Sequence, residues 1–208
     1  MAQQYRSLFF GQEHAAKYHS KNPISRWLVN GFCVDLMALL QTTGLSDVHE
    51  VGCGEGHLSS IMLQAGFQVR GSDIDDAAVE RARAEADQLG LGLPLKATSL
   101  FDLDEADRAD VVVCTEVLEH LDEPALAMTK LVRLARRYLI VSAPREPLWR
   151  GMNMARGCYW SDLGNTPGHI QHWSSDGFCR FVSEFATIAV VRKPVPWTMV
   201  LCRINSTD

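Results

Sequence analysis

The chain has 208 residues, of which 47% are hydrophobic and 22% are charged, and its formal net charge is −5. This length fits one globular domain, since domains run roughly 100 to 200 residues, and the apolar share excludes a disordered chain. The acidic balance counts against a nucleic-acid-binding protein, which would present a basic surface.

The N-terminal segment, residues 1–23, predicts no secretory signal, because it lacks a basic start followed by an apolar stretch. No apolar run is expected to reach the roughly 18 to 20 residues of a transmembrane helix. The cysteines are scattered without a CxxC pair, which argues against a zinc ribbon or a redox motif. A reducing cytoplasm is therefore the expected location. The cysteines are Cys33, Cys53, Cys114, Cys158, Cys179 and Cys202.

A helix is predicted over residues 24–41, whose apolar positions recur at helical spacing, and Gly44 suits its end. Strands and helices then alternate, which indicates a parallel sheet covered on both faces. The predicted strands are 48–52, 67–72, 93–97, 110–114 and 138–142, and the predicted helices are 58–64, 76–89 and 124–136, with Asp75 as an N-cap.

The C-terminal part differs from this alternation. Residues 185–191 and 199–204 are predicted strands that a turn-rich segment joins, so they are expected to pair antiparallel. A long stretch rich in glycine and proline, residues 144–174, is predicted to be a loop. Loops of that length in a compact domain are usually functional.

The sharpest local motif is the glycine-rich turn EVGCGEG, residues 50–56, between a predicted strand and a predicted helix. The next strand ends in Asp73, about 20 residues on, where a carboxylate can accept the hydroxyls of a ribose. The GxGxG spacing after Glu50 differs from the GxGxxG of a pyrophosphate site, and a carboxylate there would oppose phosphates and tolerate a cation. S-adenosylmethionine (SAM), which carries an ammonium and a sulfonium, is therefore favoured over a dinucleotide. A tight turn without a ligand is the alternative.

In combination, EVGCGEG, GSDID, DVVVCTEVLEHLDEP and YLIVSAP resemble the class I SAM-dependent methyltransferases, and the resemblance covers about residues 24–204. It implies an α/β, Rossmann-like fold whose seven-stranded, mainly parallel sheet ends in a reversed C-terminal hairpin. A single methyltransferase domain over residues 1–208 is expected. Within it, residues 1–45 would form N-terminal cap helices and residues 145–173 an insertion that covers the substrate.

The resemblance also implies which residues bind the cofactor. Gly52 and Gly54 would approach the methionine part, Asp73 would hold the ribose, Ile74 would lie against the adenine and Thr115 would border the cofactor. The family often has an aspartate near Ser99 that contacts the adenine amine; here Asp102 or a backbone group would have to replace it. The predicted cofactor-binding set is Arg26, Glu50, Gly52, Gly54, Asp73, Ile74, Ser99, Leu100 and Thr115.

An acidic-histidine group follows the fourth strand. Glu116, Glu119 and His120 would share one face if this segment were helical, and His169 in a later segment could join them. Carboxylates and imidazoles in such a group can bind a divalent cation. Two methyltransferase subgroups resemble this pattern: the catechol O-methyltransferases of ubiquinone synthesis and the small-RNA 3′-end 2′-O-methyltransferases, both associated with Mg²⁺. In metal-free members, the glutamate organises the loop and the histidine is a base or simply packs.

The predicted catalytic residues are Glu119, His120 and His169, with either histidine as the base for an oxygen nucleophile. The metal hypothesis places Mg²⁺ on Glu116, Glu119, His120 and His169. The predicted function is SAM-dependent methylation of a small-molecule acceptor at a hydroxyl oxygen. An RNA 2′-O-methyltransferase and a non-catalytic, cofactor-binding regulator are the alternatives.

Overall fold

The described part of the chain folds into a seven-stranded sheet with helices on both faces. The computed structural model describes residues 22–155 and 162–205. The strands are β1 (Asp47–Val51), β2 (Gln68–Asp73), β3 (Leu95–Ala97), β4 (Ala109–Thr115), β5 (Ala135–Pro144), β6 (Thr187–Arg192) and β7 (Trp197–Arg203). The helices are α1 (Pro23–Thr43), α2 (His57–Gln64), α3 (Asp76–Gln88), α4 (Pro124–Leu134), α5 (Leu148–Ala155) and α6 (Ser175–Ser183), with short 3₁₀ helices at Leu100–Asp102, Glu105–Asp107 and Leu118–His120.

The strand order is β3-β2-β1-β4-β5-β7-β6, and β7 runs antiparallel to both of its neighbours. The other pairs are parallel. The predicted α/β fold with a reversed C-terminal hairpin is therefore confirmed. The order reverses between β1 and β4, and open α/β sheets form a ligand crevice at such a point.

Each face of the sheet carries its own apolar core. Along β4, Val112 and Cys114 are buried on the face covered by α4 and α6, whereas Val111 and Val113 are buried on the face covered by α1 and α2. This alternation follows from the twofold period of a strand. Because both faces are covered, β4 is apolar at nearly every position, as the sequence indicated.

One predicted boundary is wrong. The sequence predicts a helix to residue 136 and a strand from residue 138, but α4 ends at Leu134 and β5 begins at Ala135. Ala135 is extended, with φ −81° and ψ 121°, and it pairs with Ala109 of β4. The arginines that follow have good helix propensity. The boundary is therefore set by the pairing with β4 and not by local propensity.

Helix α1 begins one residue before and ends two residues after the predicted range 24–41, and Gly44 ends it as expected. The Asn22 side chain accepts the Ile24 N–H at 2.9 Å, and Gly44 ends the helix with φ 67°. By length and composition alone this helix of 21 residues could span a membrane, since an 18-residue window within it reaches a mean hydropathy of 1.2. Most of its buried side chains belong to the apolar core on one face of the sheet, as those of a core helix do, and these are Phe32, Cys33, Leu36, Met37, Leu39 and Leu40.

The stretch predicted as one long loop contains helix α5. The buried Asn153 of α5 donates to the carbonyl of Gly164 at 2.9 Å, and the Trp149 indole donates to the Thr166 hydroxyl at 2.9 Å. These bonds tie α5 to the segment after residue 161. Residues 1–21 and 156–161 lie outside the described residues, so the expected cap helices and substrate-covering insertion are described only in part.

His49 is a buried histidine of β1. Its Nδ1 lies 2.8 Å from the carbonyl oxygen of Asp107, which can only accept, so Nδ1 carries the hydrogen. Its Nε2 therefore accepts the Ser72 hydroxyl at 2.9 Å. Burial lowers the pKa of His49 below its ordinary value, although the Asp107 carbonyl opposes this shift.

We expect the free energy of unfolding to fall as the pH is lowered below about 6.5, the ordinary histidine pKa. Below that pH the unfolded chain binds a proton at His49 that the folded protein does not bind. The contribution of neutral, buried His49 to the free energy of unfolding is therefore complete above about pH 6.5 and is lost as the pH falls below it. Chemical denaturation at a series of pH values should show His49→Gln losing part of this slope. An unchanged slope would mean that His49 is not the responsible group, and His169 would remain, since its pKa is lowered too.

Candidate functional site

A cleft of about 360 Å³ opens at the carboxyl ends of β1 and β4, where the strand order reverses. The glycine turn forms one wall, and the residues that follow β4 form another. The cleft is lined by Val29, Phe32, Glu50, Gly52, Cys53, Gly54, Glu55, His57, Leu58, Thr115, Glu116 and Trp197.

The glycine turn is fixed by the end of β2. The N–H groups of Gly52 and Cys53 donate to the Ser72 carbonyl at 2.7 and 3.0 Å. The N–H of Gly54 donates to Asp73 Oδ2 at 2.6 Å, and that of Asp75 to Asp73 Oδ1 at 2.9 Å. Each carboxylate oxygen of Asp73 accepts one bond and retains a lone pair. The carboxylate is thus oriented and can still accept hydroxyls from a ligand.

Position 52 requires glycine for two reasons, its backbone conformation and the lack of space for a side chain. Its φ is +80°, and a Cβ at this position would overlap Cγ2 of Val117. Gly54, with φ +51°, has nothing within 4 Å of an added Cβ, so it serves as a matched control.

We therefore expect Gly52→Ala to lower the free energy of unfolding by about 2 to 4 kcal/mol, because left-handed strain adds to a steric clash. Gly54→Ala should cost about 1 kcal/mol, from the strain alone. Urea denaturation of the two variants measures the difference. Equal losses of unfolding free energy in the two variants would show that the clash with Val117 adds nothing to the backbone strain.

Glu50 lies on the floor of the cleft and is 2% exposed. The Ser59 hydroxyl donates to its Oε2. Burial, with a smaller contribution from the nearby charge of Asp73, raises the pKa of Glu50 to about 8, although the bonds from Ser59 oppose this shift. A cation in the cleft would favour the ionised form of this carboxyl group.

Glu116 also faces the cleft, which corrects the expectation that it shares a helix face with Glu119 and His120. Its φ is +57°, and helical turns begin only at Leu118, so the spacing rule does not apply. Glu116 Oε1 accepts the Ser142 hydroxyl at 2.9 Å, and Oε2 accepts the Trp197 indole N–H at 2.6 Å. Burial raises the pKa of Glu116 to about 7, although these two bonds oppose the shift.

A second group of titratable side chains, here called the Glu119 cluster, consists of Glu119, His120 and His169. One ligand atom from each lies within 4.8 Å of the others, and Glu116 is not among them. His120 Nδ1 lies 2.9 Å from the Gly168 carbonyl oxygen and so donates to it. The lone pair of neutral His120 is thereby placed on Nε2, as in metal-binding histidines that a backbone carbonyl orients.

Glu119 is 1% exposed, and neither of its carboxylate oxygens has a hydrogen-bond partner among the described residues. Burial and the charge of Glu116 raise its pKa well above the ordinary value. Its backbone carbonyl accepts the N–H groups of Ile170 and Gln171 at 2.9 and 3.0 Å. These bonds hold the segment that carries His169 against the end of β4.

His169 completes the cluster. Its ring stacks on Trp149 with centroids 5.7 Å apart and contacts His120 edge to face at 4.8 Å. Burial and the charges of His120 and His172 lower its pKa to about 4. The ring is therefore neutral near pH 7, which is the state that binds a metal. The unpartnered Glu119 oxygens and the imidazoles of His120 and His169 are donors that fit a divalent cation.

A smaller cavity of about 170 Å³ adjoins the cleft and shares Val29 and Trp197 with it. The Trp197 ring contacts Phe32 at 5.1 Å and Trp149 at 5.7 Å between centroids. The walls are mostly apolar, with Asn153 and Ser25 as polar groups. The cavity is lined by Ser25, Leu28, Val29, Trp149, Met152, Asn153, Pro196 and Trp197.

Residues 31–185 match the family described as the methyltransferase domain, which is most of the chain. The chain belongs to this family. It is 36% identical to the ubiquinone biosynthesis O-methyltransferase of Hahella chejuensis over 91 residues, covering 43% of this chain and 38% of that protein. The corresponding enzyme of Cereibacter sphaeroides is 36% identical over 117 residues, covering 53% of this chain and 47% of that protein. The matched regions thus span less than half of these relatives.

Two solved structures show the same fold as this methyltransferase-domain protein. Magnesium protoporphyrin IX methyltransferase from Synechocystis, with bound S-adenosylhomocysteine (SAH), has a TM-score of 0.70 at 21% identity and covers 97% of this chain and 94% of its own. The methyltransferase domain of a bacterial Hen1 protein has a TM-score of 0.67 at 23% identity, covering 86% of this chain and 100% of its own.

The structure brings some of the predicted cofactor residues of this methyltransferase-domain protein together and leaves others apart. Glu50, Gly52, Gly54 and Thr115 line the cleft, and Asp73 binds its glycine wall. The others lie outside the described lining of the cleft: Ile74 is 77% exposed, Ser99 caps the turn that contains the buried Leu100, and Arg26 is exposed on α1.

Sequence reasoning missed Trp197 and Asn153. Trp197 begins β7 and reaches Glu116 across 81 residues of chain, and no local pattern reports such a contact. Asn153 lies in α5, inside the stretch predicted as a loop. The one available indication was the number of tryptophans around that stretch, which is typical of an aromatic pocket.

Proposed function

We propose that this protein is a SAM-dependent methyltransferase. The observation that carries the proposal is the cleft: the end of β2 fixes a glycine turn, and the lining includes the carboxyl groups of Glu50, Glu55 and Glu116. No lysine or arginine is among its described lining residues. Such a cleft opposes the phosphates of a dinucleotide and suits the ammonium and sulfonium of SAM. The SAH-bound structural neighbour has the same fold.

The cofactor contacts follow the predicted assignment. Asp73 would accept the ribose hydroxyls, the Gly52–Gly54 turn would approach the methionine part and Thr115 would border the sulfur. The exposed Ile74 side chain follows Asp73 directly and offers an apolar surface to the adenine. Leu100 and the Ser99 turn would contact the adenine edge in place of an aspartate. Arg26 would approach the carboxylate of the cofactor from α1.

The proposed acceptor is a small molecule that is methylated at a hydroxyl oxygen. Two sequence relatives are named O-methyltransferases, and the adjoining cavity is small and largely apolar. Residues of α1 and α5 line this cavity, which supports the proposed cap over residues 1–45 and the insertion over residues 145–173. The cavity can hold an acceptor away from water, and correct alignment with the methyl group can contribute roughly 7 to 11 kcal/mol to catalysis.

The Glu119 cluster is the proposed metal site, with Glu119, His120 and His169 as ligands. A divalent cation there would supply Lewis-acid chemistry to an acceptor oxygen within its reach. A set of one carboxylate and two imidazoles suits Mn²⁺, Fe²⁺, Co²⁺ or Zn²⁺ better than Mg²⁺, which prefers oxygen ligands. Without a cation, the same residues hold the segment that carries His169.

An RNA acceptor is the second candidate, because a Hen1 methyltransferase domain shares the fold and the Glu119 cluster resembles that subgroup. The net charge of −5 counts against it, since RNA binding needs a basic surface. A cytoplasmic location is proposed from the cysteines, because those in the described residues are free and most are buried.

Methyl-labelled SAM tests the proposal directly. The protein is incubated with the labelled cofactor and with catechol, simple phenols or a short single-stranded RNA, and the products are identified by mass spectrometry. We expect labelled methyl ethers of a hydroxylated small molecule. Transfer to RNA alone, with a steep salt dependence, would support the second candidate. Failure to bind SAM would contradict both.

A further inference from the structure

The position of Glu116 differs from that of the histidines predicted to be the base. Glu116 follows Thr115 at the carboxyl end of β4, and its left-handed backbone turns the residue towards the cleft. Neither His120 nor His169 is among the described residues that line the cleft or the adjoining cavity. A base must lie within hydrogen-bond reach of the proton it removes. Among the candidates, the geometry therefore favours Glu116.

The hydrogen bonds of Glu116 leave room for a ligand. Each carboxylate oxygen accepts one bond, from Ser142 or from Trp197, and retains a lone pair. The two donors are neutral and come from different strands, so they orient the carboxylate without neutralising it. No lysine or arginine is among the described lining residues, so a positively charged ligand is the natural partner of its negative charge.

Trp197 places this carboxylate where the cofactor cleft and the apolar cavity meet. Its indole lines both spaces, and its N–H is the group that binds Glu116. The ring is itself packed between Phe32 and Trp149. A methyl donor in the cleft and an acceptor entering from the cavity would therefore meet beside Glu116.

We propose that Glu116 is the catalytic base, facing the methyl group that is transferred. This inference rests on the proposed function. The Glu116 carboxylate takes the proton of the acceptor hydroxyl while the oxygen attacks the methyl carbon. The carbon–sulfur bond breaks, and its electron pair stays on sulfur, which becomes the neutral thioether of SAH. The protonated carboxyl group then releases its proton to solvent.

The deciding experiment compares two cofactor analogues by calorimetry at about pH 8.5, where carboxyl groups are mostly ionised. Sinefungin carries an ammonium where SAM carries the transferable methyl group, whereas SAH has no group there. We expect Glu116→Gln to weaken sinefungin binding by about 10-fold or more, the usual effect of losing a charged hydrogen bond, and to change SAH affinity less than about threefold. Glu123→Gln, at an exposed position of the same segment, should change neither.

The outcomes separate this inference from the proposed function. Equal losses for both analogues, or no loss for either, would overturn the role of Glu116 while leaving cofactor binding intact. A wild-type protein that binds neither analogue would overturn the proposed function itself. Glu116→Asp keeps the charge but withdraws it by one methylene. It should show the same selective loss to a smaller degree, and it replaces the glutamine variant if that variant does not fold.

Catalysis gives a second readout. With catechol as the test acceptor, Glu116→Gln should lower kcat by about 10²- to 10⁴-fold, the usual contribution of a general base. The KM for SAM should change less than about threefold. An unchanged kcat with measurable turnover would overturn the proposal.

Discussion

Replacing Asp73 with alanine is expected to weaken SAM binding by about 100-fold or more, close to 3 kcal/mol, because two effects add. The variant loses the acceptor for the ribose hydroxyls and also leaves the Gly54 N–H without its bond to Asp73 Oδ2. The glycine turn then loses the contact that orients it. Calorimetric titration with SAH measures the loss.

Asp75→Ala is the matched control for this prediction. Asp75 is an acidic residue two positions away that accepts the Ala78 N–H at 3.1 Å as the N-cap of α3. Removing this cap should cost about 1 kcal/mol of stability and change cofactor affinity only slightly. If the two variants bind SAH equally well, Asp73 does not contact the cofactor and the proposed site is wrong.

Removing the carboxylate of the Glu119 cluster is expected to abolish metal binding. Wild-type protein should gain about 2.7 kcal/mol in unfolding free energy when free Mn²⁺ is at 100 times its Kd, and Mg²⁺ should act only at higher concentration. Glu119→Gln should show no such gain, because two imidazoles alone form an incomplete site. Thermal unfolding with each cation measures this without an activity assay.

The metal-free proteins provide the control for that experiment. Since the Glu119 oxygens lack partners among the described residues, Glu119→Gln should not greatly destabilise the protein without metal. Equal stabilisation of both proteins by Mn²⁺ would place the cation elsewhere. If Mn²⁺ stabilises neither protein, the metal hypothesis is contradicted and the cluster keeps only a structural role.

The sequence predicted what local patterns and strand ends determine. Asp73 and the glycine turn were found because parallel strands end at one edge of the sheet and their spacing brings both to the same crevice. The N-cap Asp75 and the helix exit at Gly44 were predicted because each satisfies backbone groups within a few residues. The reversed hairpin followed from two strands joined by a short turn-rich segment.

The contacts of Glu116 and Trp197 were not predictable in the same way. The prediction for Glu116 assumed a continuous helix, but a left-handed residue and a 3₁₀ turn separate it from Glu119. Its partners Ser142 and Trp197 lie on β5 and β7, so only the assembled sheet brings the three side chains together. Helix α5 was missed because glycine and proline around it resemble a loop.

Parallel calorimetric titrations with SAH and NAD test whether the cleft at the ends of β1 and β4 binds SAM. We expect saturable binding of SAH at one site, loss of that binding in Asp73→Ala, and no measurable binding of NAD, whose phosphates would face the carboxyl groups of the cleft. Binding of NAD together with no heat from SAH would contradict this expectation.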